Sequence, residues 1–176
     1  PEVAGRKLTD IAAEWGVSLL EARDRLLPAS GVFHNMSEED VRRIMAHPLS
    51  MIGSDGGPRD PRPHPRLWGT FPRVLGHYVR EEALFPLHEA VHKMTGLPGS
   101  RFALPGRGLL REGWHADLVL FDPARVRDTA DYHEPVRAAE GIDAVWVNGV
   151  LAYDGRAVTD ARGGRFLAPA AGNPFP

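Results

Sequence analysis

The sequence predicts an α/β protein, with a parallel α/β unit up to about residue 105 and a short run of strands after it. Three observations carry this. Up to that point the order reads helix, strand, helix, strand, helix, helix, the alternation of parallel α/β chains. The apolar stretch Ser50-Met51-Ile52-Gly53-Ser54 reads as a buried strand that runs straight into Asp55. Asn148-Gly149 lies between two apolar runs, the strongest short hairpin signal there is.

Taken in order, Thr9 is placed to cap a turn over Asp10–Trp15, which Gly16 stops. Ser18 with Glu21 forms a capping-box pattern that opens a helix over Leu19–Leu27, ended by Pro28. Gly31-Val32-Phe33-His34 reads as a short strand. Ser37 caps a helix over Glu38–Ala46, with acids in the first turn where the helix dipole favours them, and His47-Pro48 closes it. From Asp55 to Gly69 runs a Gly- and Pro-rich loop carrying Arg59, Arg62, His64 and Arg66, long enough to be functional or disordered. Thr70 is expected to cap a helix to about Glu82, and a further helix covers Pro86–Thr95 until Gly96 stops it. Leu118–Phe121 is a strand stopped by Asp122-Pro123. Ala144–Val147 and Val150–Tyr153 flank the hairpin turn, Asp154-Gly155 marks the next turn, and Ala157-Val158-Thr159 reads as one more strand. These strands are too few to close a sandwich and need partners from elsewhere. The organisation is therefore 1–106, 107–167, and a Pro-, Ala- and Gly-rich tail over 168–176 expected to be disordered.

The 176 residues suffice for one domain or part of a larger one, and 43% hydrophobic with 25% charged residues is a soluble globular balance. The net charge of −2 leaves no surplus to bind a phosphate backbone, so nucleic acid is not an expected partner. Lysine occurs only at Lys7 and Lys93, so the basic residues are almost all arginine. There is no cysteine, hence no disulfide, thiolate metal site or thiol nucleophile. No apolar run approaches the ~18 residues of a membrane span, so no membrane partner is expected either. Pro1–Arg6 contains neither a start Met nor an apolar signal core, which reads as a cytoplasmic chain with a cut start.

Three groups of residues bear on chemistry. Asp55 follows a strand and precedes Gly56-Gly57; a carboxylate there serves as metal ligand or general base, or else as an ordinary turn residue. His64-Pro65-Arg66 pairs an imidazole with a guanidinium suited to bidentate recognition of a carboxylate, or forms a solvated surface loop. His88-Glu89-Ala90-Val91-His92 matches the His-Glu-x-x-His helix of zinc proteases, but no third ligand follows at the extended-motif spacing. The same stretch reads as an amphipathic helix with core positions Leu87, Ala90, Val91 and Met94. No serine stands in a Gly-x-Ser-x-Gly elbow, which disfavours a serine hydrolase.

Several stretches together resemble the C-terminal third of the D-aminoacylase family, the N-acyl-D-amino-acid deacylases of the amidohydrolase superfamily. They include Gly5-Arg6-Lys7-Leu8, His47-Pro48 through Ile52-Gly53-Ser54-Asp55-Gly56, and His64-Pro65-Arg66 followed by Gly69-Thr70-Phe71-Pro72-Arg73-Val74-Leu75-Gly76. They continue with Lys93-Met94-Thr95-Gly96-Leu97-Pro98, Ala116-Asp117-Leu118-Val119-Leu120-Phe121-Asp122-Pro123 and Val147-Asn148-Gly149. The last two occur widely in amidohydrolases; the His-Pro-Arg to Gly-Thr-Phe loop is the narrower marker. The resemblance covers roughly residues 5 to 167.

The resemblance implies the C-terminal part of a (β/α)8 metal-dependent hydrolase barrel plus strands of a composite β-sandwich domain. It implies hydrolysis of the amide bond of an N-acyl-D-amino acid. Asp55 would end the eighth barrel strand and activate a metal-bound water, with a secondary role as metal ligand. Ser54, His64 and Arg66 fall on the substrate side. The implied cofactor is zinc, and the implied partners are the small-molecule substrate and the N-terminal part of the barrel. The family's His-x-His, metal-binding Cys and later metal His residues have no counterpart here, so most zinc ligands are expected upstream and the isolated chain is expected to be inactive. Where relatives usually carry Asp before Arg-Gly, this chain has Gly106. A zinc protease using His88, Glu89 and His92, or a non-catalytic structural subunit, are the alternatives.

Overall fold

The helix starts written as serine caps form as the sequence predicts. In the computed structural model, which describes residues 2–29, 31–33, 35–56 and 62–167, the Ser18 Oγ accepts from the Glu21 N–H at 3.2 Å and opens α2 (Leu19–Leu26). The Ser37 Oγ accepts from the Asp40 N–H at 3.1 Å and opens α3 (Glu38–Ala46). Each bond satisfies a backbone donor that the first turn leaves without a partner. Helix α1 (Leu8–Trp15) begins earlier than Thr9 predicts: Lys7 is its cap residue, and Thr9 sits inside the helix and donates to Asp10. Gly16 ends it at φ 64°, the left-handed conformation that a Cβ penalises. Ile11, Ala12 and Ala22 are buried where α1 and α2 meet.

The parallel sheet is where prediction and structure part. Residues 50–56 have no regular secondary structure and join no ladder, and Met51 is 39% exposed, so the expected buried strand is absent. A strand needs a neighbour for its N–H and C=O groups; here the Ile52 N–H finds the Lys93 carbonyl, on a helix, at 3.2 Å. Residues 31–33 likewise form no strand, and His34 lies outside the described residues. The expected 168–176 tail lies outside them too.

The long loop ends sooner than predicted. Helix α4 (Arg66–Arg73) starts at Arg66, and Thr70 is not its cap but donates to the Arg66 carbonyl within the helix at 2.8 Å. Pro72 supplies no N–H to the helical ladder, and directly after it the helix widens into a π-helical segment, Val74–Glu81. Helix α5 (Leu87–Met94) is broken at Thr95 (φ −133°, ψ −77°), so Gly96 does not stop a helix but starts α6 (Gly96–Arg101).

The described strands are antiparallel, in the order β1 (Leu118–Phe121), β2 (Ile142–Val147), β3 (Val150–Tyr153). Val147 pairs with Val150 across Asn148 (φ 50°) and Gly149 (φ 79°), the two positive φ angles of a type I′ hairpin turn. Residues 157–159 contribute only a single bridge, Tyr153 to Val158, instead of a strand. The core gathers Val74, Leu75, Tyr78, Phe85, Ala90 and Val126, with Ile52, Phe121 and Ile142 packed against it. It thus joins the π-helical segment and α5 to the long connection between β1 and β2. Among the described residues no helix is long and apolar enough to cross a membrane.

Candidate active site

Lacking a neighbouring strand, the segment that leads to Asp55 is held from α5. The Lys93 carbonyl accepts the Ile52 N–H, and the Lys93 Nζ donates to the His47 carbonyl at 2.5 Å. Lys93 is 1% exposed; its ammonium also lies 3.5 Å from the Glu89 carboxylate and 5.8 Å over the Phe85 ring. A charge this deep is tolerated only when paired and hydrogen-bonded, and each of those partners is in place. Ser50 adds its N–H to the His47 carbonyl and its hydroxyl to that of Ile44.

Asp55 emerges from this grip at φ 45°, outside the conformations a non-glycine residue ordinarily prefers. Such outliers cluster at functional sites, where surrounding contacts hold them. Arg66, at the start of α4, supplies the contact: its Nη2 lies 2.6 Å from the Asp55 Oδ2, and its Nε donates to the Asp55 carbonyl at 2.9 Å. The Arg66 N–H in turn donates to the His64 Nδ1 at 3.1 Å, so the His64 ring satisfies the first backbone donor of α4. The His64 ring meets Tyr132 edge-on, with centroids 5.3 Å apart, planes at 73° and 3.5 Å between Nε2 and Oη.

Of the four residues singled out from sequence, Asp55, His64 and Arg66 thus come together, and half-buried Ser54 adjoins Asp55 along the chain. Sequence reasoning missed Tyr132 and Lys93. Tyr132 is 68 residues from His64 and belongs to no motif, and Lys93 is disguised by its helix. On α5, Lys93 is buried where Val91 was expected, while Val91 is 37% exposed. The zinc-protease pattern dissolves for the same reason: Glu89 pairs with Lys93, while His88 and His92 are exposed. Among the described residues no three His, Cys, Asp or Glu side chains gather to hold a metal. A cavity of about 230 Å³ lies elsewhere, lined by Leu104, Arg107, His115 and Phe166 among others.

The turn that carries Tyr132 is rigidly built. The Asp131 Oδ1 accepts the N–H groups of Glu134 at 2.7 Å and His133 at 2.8 Å. Those two donors hold the carboxyl below the usual carboxylate range.

Residues 11–153 match the Amidohydrolase family. The chain is 54% identical over 168 residues to a D-aminoacylase of Alcaligenes xylosoxydans xylosoxydans, covering 96% of this chain and 35% of that protein. It overlays a crystal structure of D-aminoacylase with a TM-score of 0.91 at 51% identity, again 96% of this chain and 35% of that one. An N-acyl-D-glutamate deacylase from Bordetella bronchiseptica, solved with zinc and a phosphonate mimic of the tetrahedral intermediate, overlays with a TM-score of 0.84 at 50% identity, covering 89% and 34%. The chain spans about a third of the length of these relatives. With residues 11–153 matching that family and about half of its positions identical to D-aminoacylase, the chain belongs to the amidohydrolase family, in the D-aminoacylase branch.

Proposed function

We propose that this chain supplies the proton-handling carboxylate and the substrate-carboxylate grip of a metal-dependent N-acyl-D-amino-acid deacylase. The observation that carries the reading is the Asp55–Arg66–His64 constellation, on a backbone that follows D-aminoacylase closely. Residues 1–106 are read as the last part of a (β/α)8 barrel, and 107–167 as strands of a small composite β-sandwich domain. Among the described residues no set fits a catalytic zinc, which takes about three protein ligands; Asp55 stands there without two further ligands beside it. Zinc, bound in the Bordetella relative, is therefore assigned to the part of the relatives that this chain does not match.

What Asp55 does can be derived without it. Hydrolysis of an amide adds water across the C–N bond: the attacking water loses a proton, and the leaving nitrogen gains one. A single carboxylate serves both transfers, as base and then as acid. Arg66 presents a planar fork to that carboxylate, and the same fork matches the carboxylate of an N-acyl amino acid. The incoming substrate would compete for the Arg66 Nη2 and release Asp55 to the water.

The test is an assembly in which this chain replaces the matching third of the Alcaligenes D-aminoacylase. Turnover of N-acyl-D-amino acids is expected, as is none from the 176 residues alone with added zinc. Asp55→Asn in the assembly should lower kcat by about 10²–10⁴, the loss typical of a general base, with the melting temperature nearly unchanged. Full activity of Asp55→Asn, or a folded assembly without turnover, refutes the reading.

A further inference from the structure

The connection between β1 and β2 forms a wall beside the loop that precedes α4. Asp128 pairs with Arg73 at 3.4 Å and presses against Gly69, where an added Cβ would stand 3.1 Å from its own. Beyond it, the Asp131 turn sends two contacts across: Arg62 Nη2 donates to the His133 carbonyl at 3.0 Å, and Tyr132 meets the His64 ring. The hydrogen bonds of His64 fix its chemistry. Because Nδ1 accepts the Arg66 N–H, the neutral ring carries its proton on Nε2, and that N–H faces the Tyr132 oxygen. An imidazole rotated out of this plane would lose the Arg66 N–H, whereas the Leu67 and Trp68 N–H groups keep the His64 and Pro65 carbonyls.

We propose that Tyr132 is a positioning residue of the deacylase site. Its ring edge and oxygen hold the plane and tautomer of His64; His64 holds the first turn of α4; and that turn aims the Arg66 guanidinium. At 3.5 Å the oxygen contact is long, so the ring edge is the larger part of the hold. The consequence for function rests on the reading of Arg66 as the partner of the substrate carboxylate.

Two measurements test it. In the active assembly, Tyr132→Ala should raise KM about tenfold, the effect of ~1.4 kcal/mol of lost binding, with kcat within about twofold. Tyr132→Phe, which keeps the ring edge, should recover most of the loss. In the 176-residue chain, nitrogen NMR of the His64 ring should show the Nε2–H tautomer, and Tyr132→Ala should turn it into a mixture. An unchanged KM in Tyr132→Ala overturns the proposal, and so does a parallel fall of kcat, kcat/KM and melting temperature, which marks a merely structural side chain. If the parent assembly shows no deacylase activity, it is the functional reading that has failed. The ring tautomer then decides the positioning role by itself: a His64 signal indifferent to Tyr132→Ala overturns it.

Discussion

Asp55 and Lys93 show how single residues decide the site. Asp55 was legible because a carboxylate after an apolar stretch and before two glycines has few roles, and its φ of 45° marks a conformation that neighbours must enforce. Lys93 was not legible, since a lysine on a helix normally faces water. Its ammonium is tolerated inside because the His47 carbonyl and the Glu89 carboxylate meet it there. The competing effects can be separated. Lys93→Ala removes the stem and leaves a cavity, and should cost about 2–5 kcal/mol in urea unfolding. Lys93→Met keeps most of the volume. It strands no buried group, because the His47 carbonyl retains the Ser50 N–H and Glu89 is partly exposed, so it should cost less than about 1.5 kcal/mol. Equal losses in the two variants would show that the charge, not the packing, is what matters.

At the scale of elements, local chemistry and close approach contend. The capping serines and the Asn148-Gly149 turn act within four residues, and they form as the sequence says. The helix after the loop does not: it begins at Arg66, whose N–H donates to the His64 ring, and it widens after Pro72. Gly76, in the π-helical segment, shows a contact that no local rule contains: a Cβ there would stand 2.6 Å from the Val126 carbonyl and 3.2 Å from the Arg127 Cα. Alanine gains about 1 kcal/mol over glycine in a helix. Here the clash with rigid backbone outweighs it, and Gly76→Ala should destabilise the chain by about 1–3 kcal/mol. Gly164→Ala, which meets nothing within 4 Å, should be neutral. A stabilised Gly76→Ala would mean that the β1–β2 connection does not pack against this segment.

Over the whole molecule, charge balance sets the response to acid. Burial alone would raise the Asp117 carboxyl, but the Asn148 N–H and the Arg107 guanidinium outweigh it and hold it below its ordinary value. Arg125 does the same for Asp122, the Ala157 N–H for Asp154, and Arg127 for Glu140. A depressed carboxyl stabilises the fold fully above its unfolded value, about 3.9–4.3, and loses that contribution as pH falls through its lower folded value. The melting temperature should therefore hold from pH 7 to about 5 and fall steadily below about 4. Asp117→Asn should flatten that decline, whereas a chain most stable at pH 3 would contradict the charge assignments. By itself the sequence determined what acts over a few residues, namely the two serine caps and the type I′ turn, together with the family likeness and the carboxylate, imidazole and guanidinium of the site. Only the tertiary structure decided that the stretch before Asp55 is held by a helix instead of a strand, that Lys93 is inside, and that Tyr132 reaches His64. Those contacts join positions tens of residues apart, and neither periodicity nor propensity carries information across such distances; chain packing alone creates them.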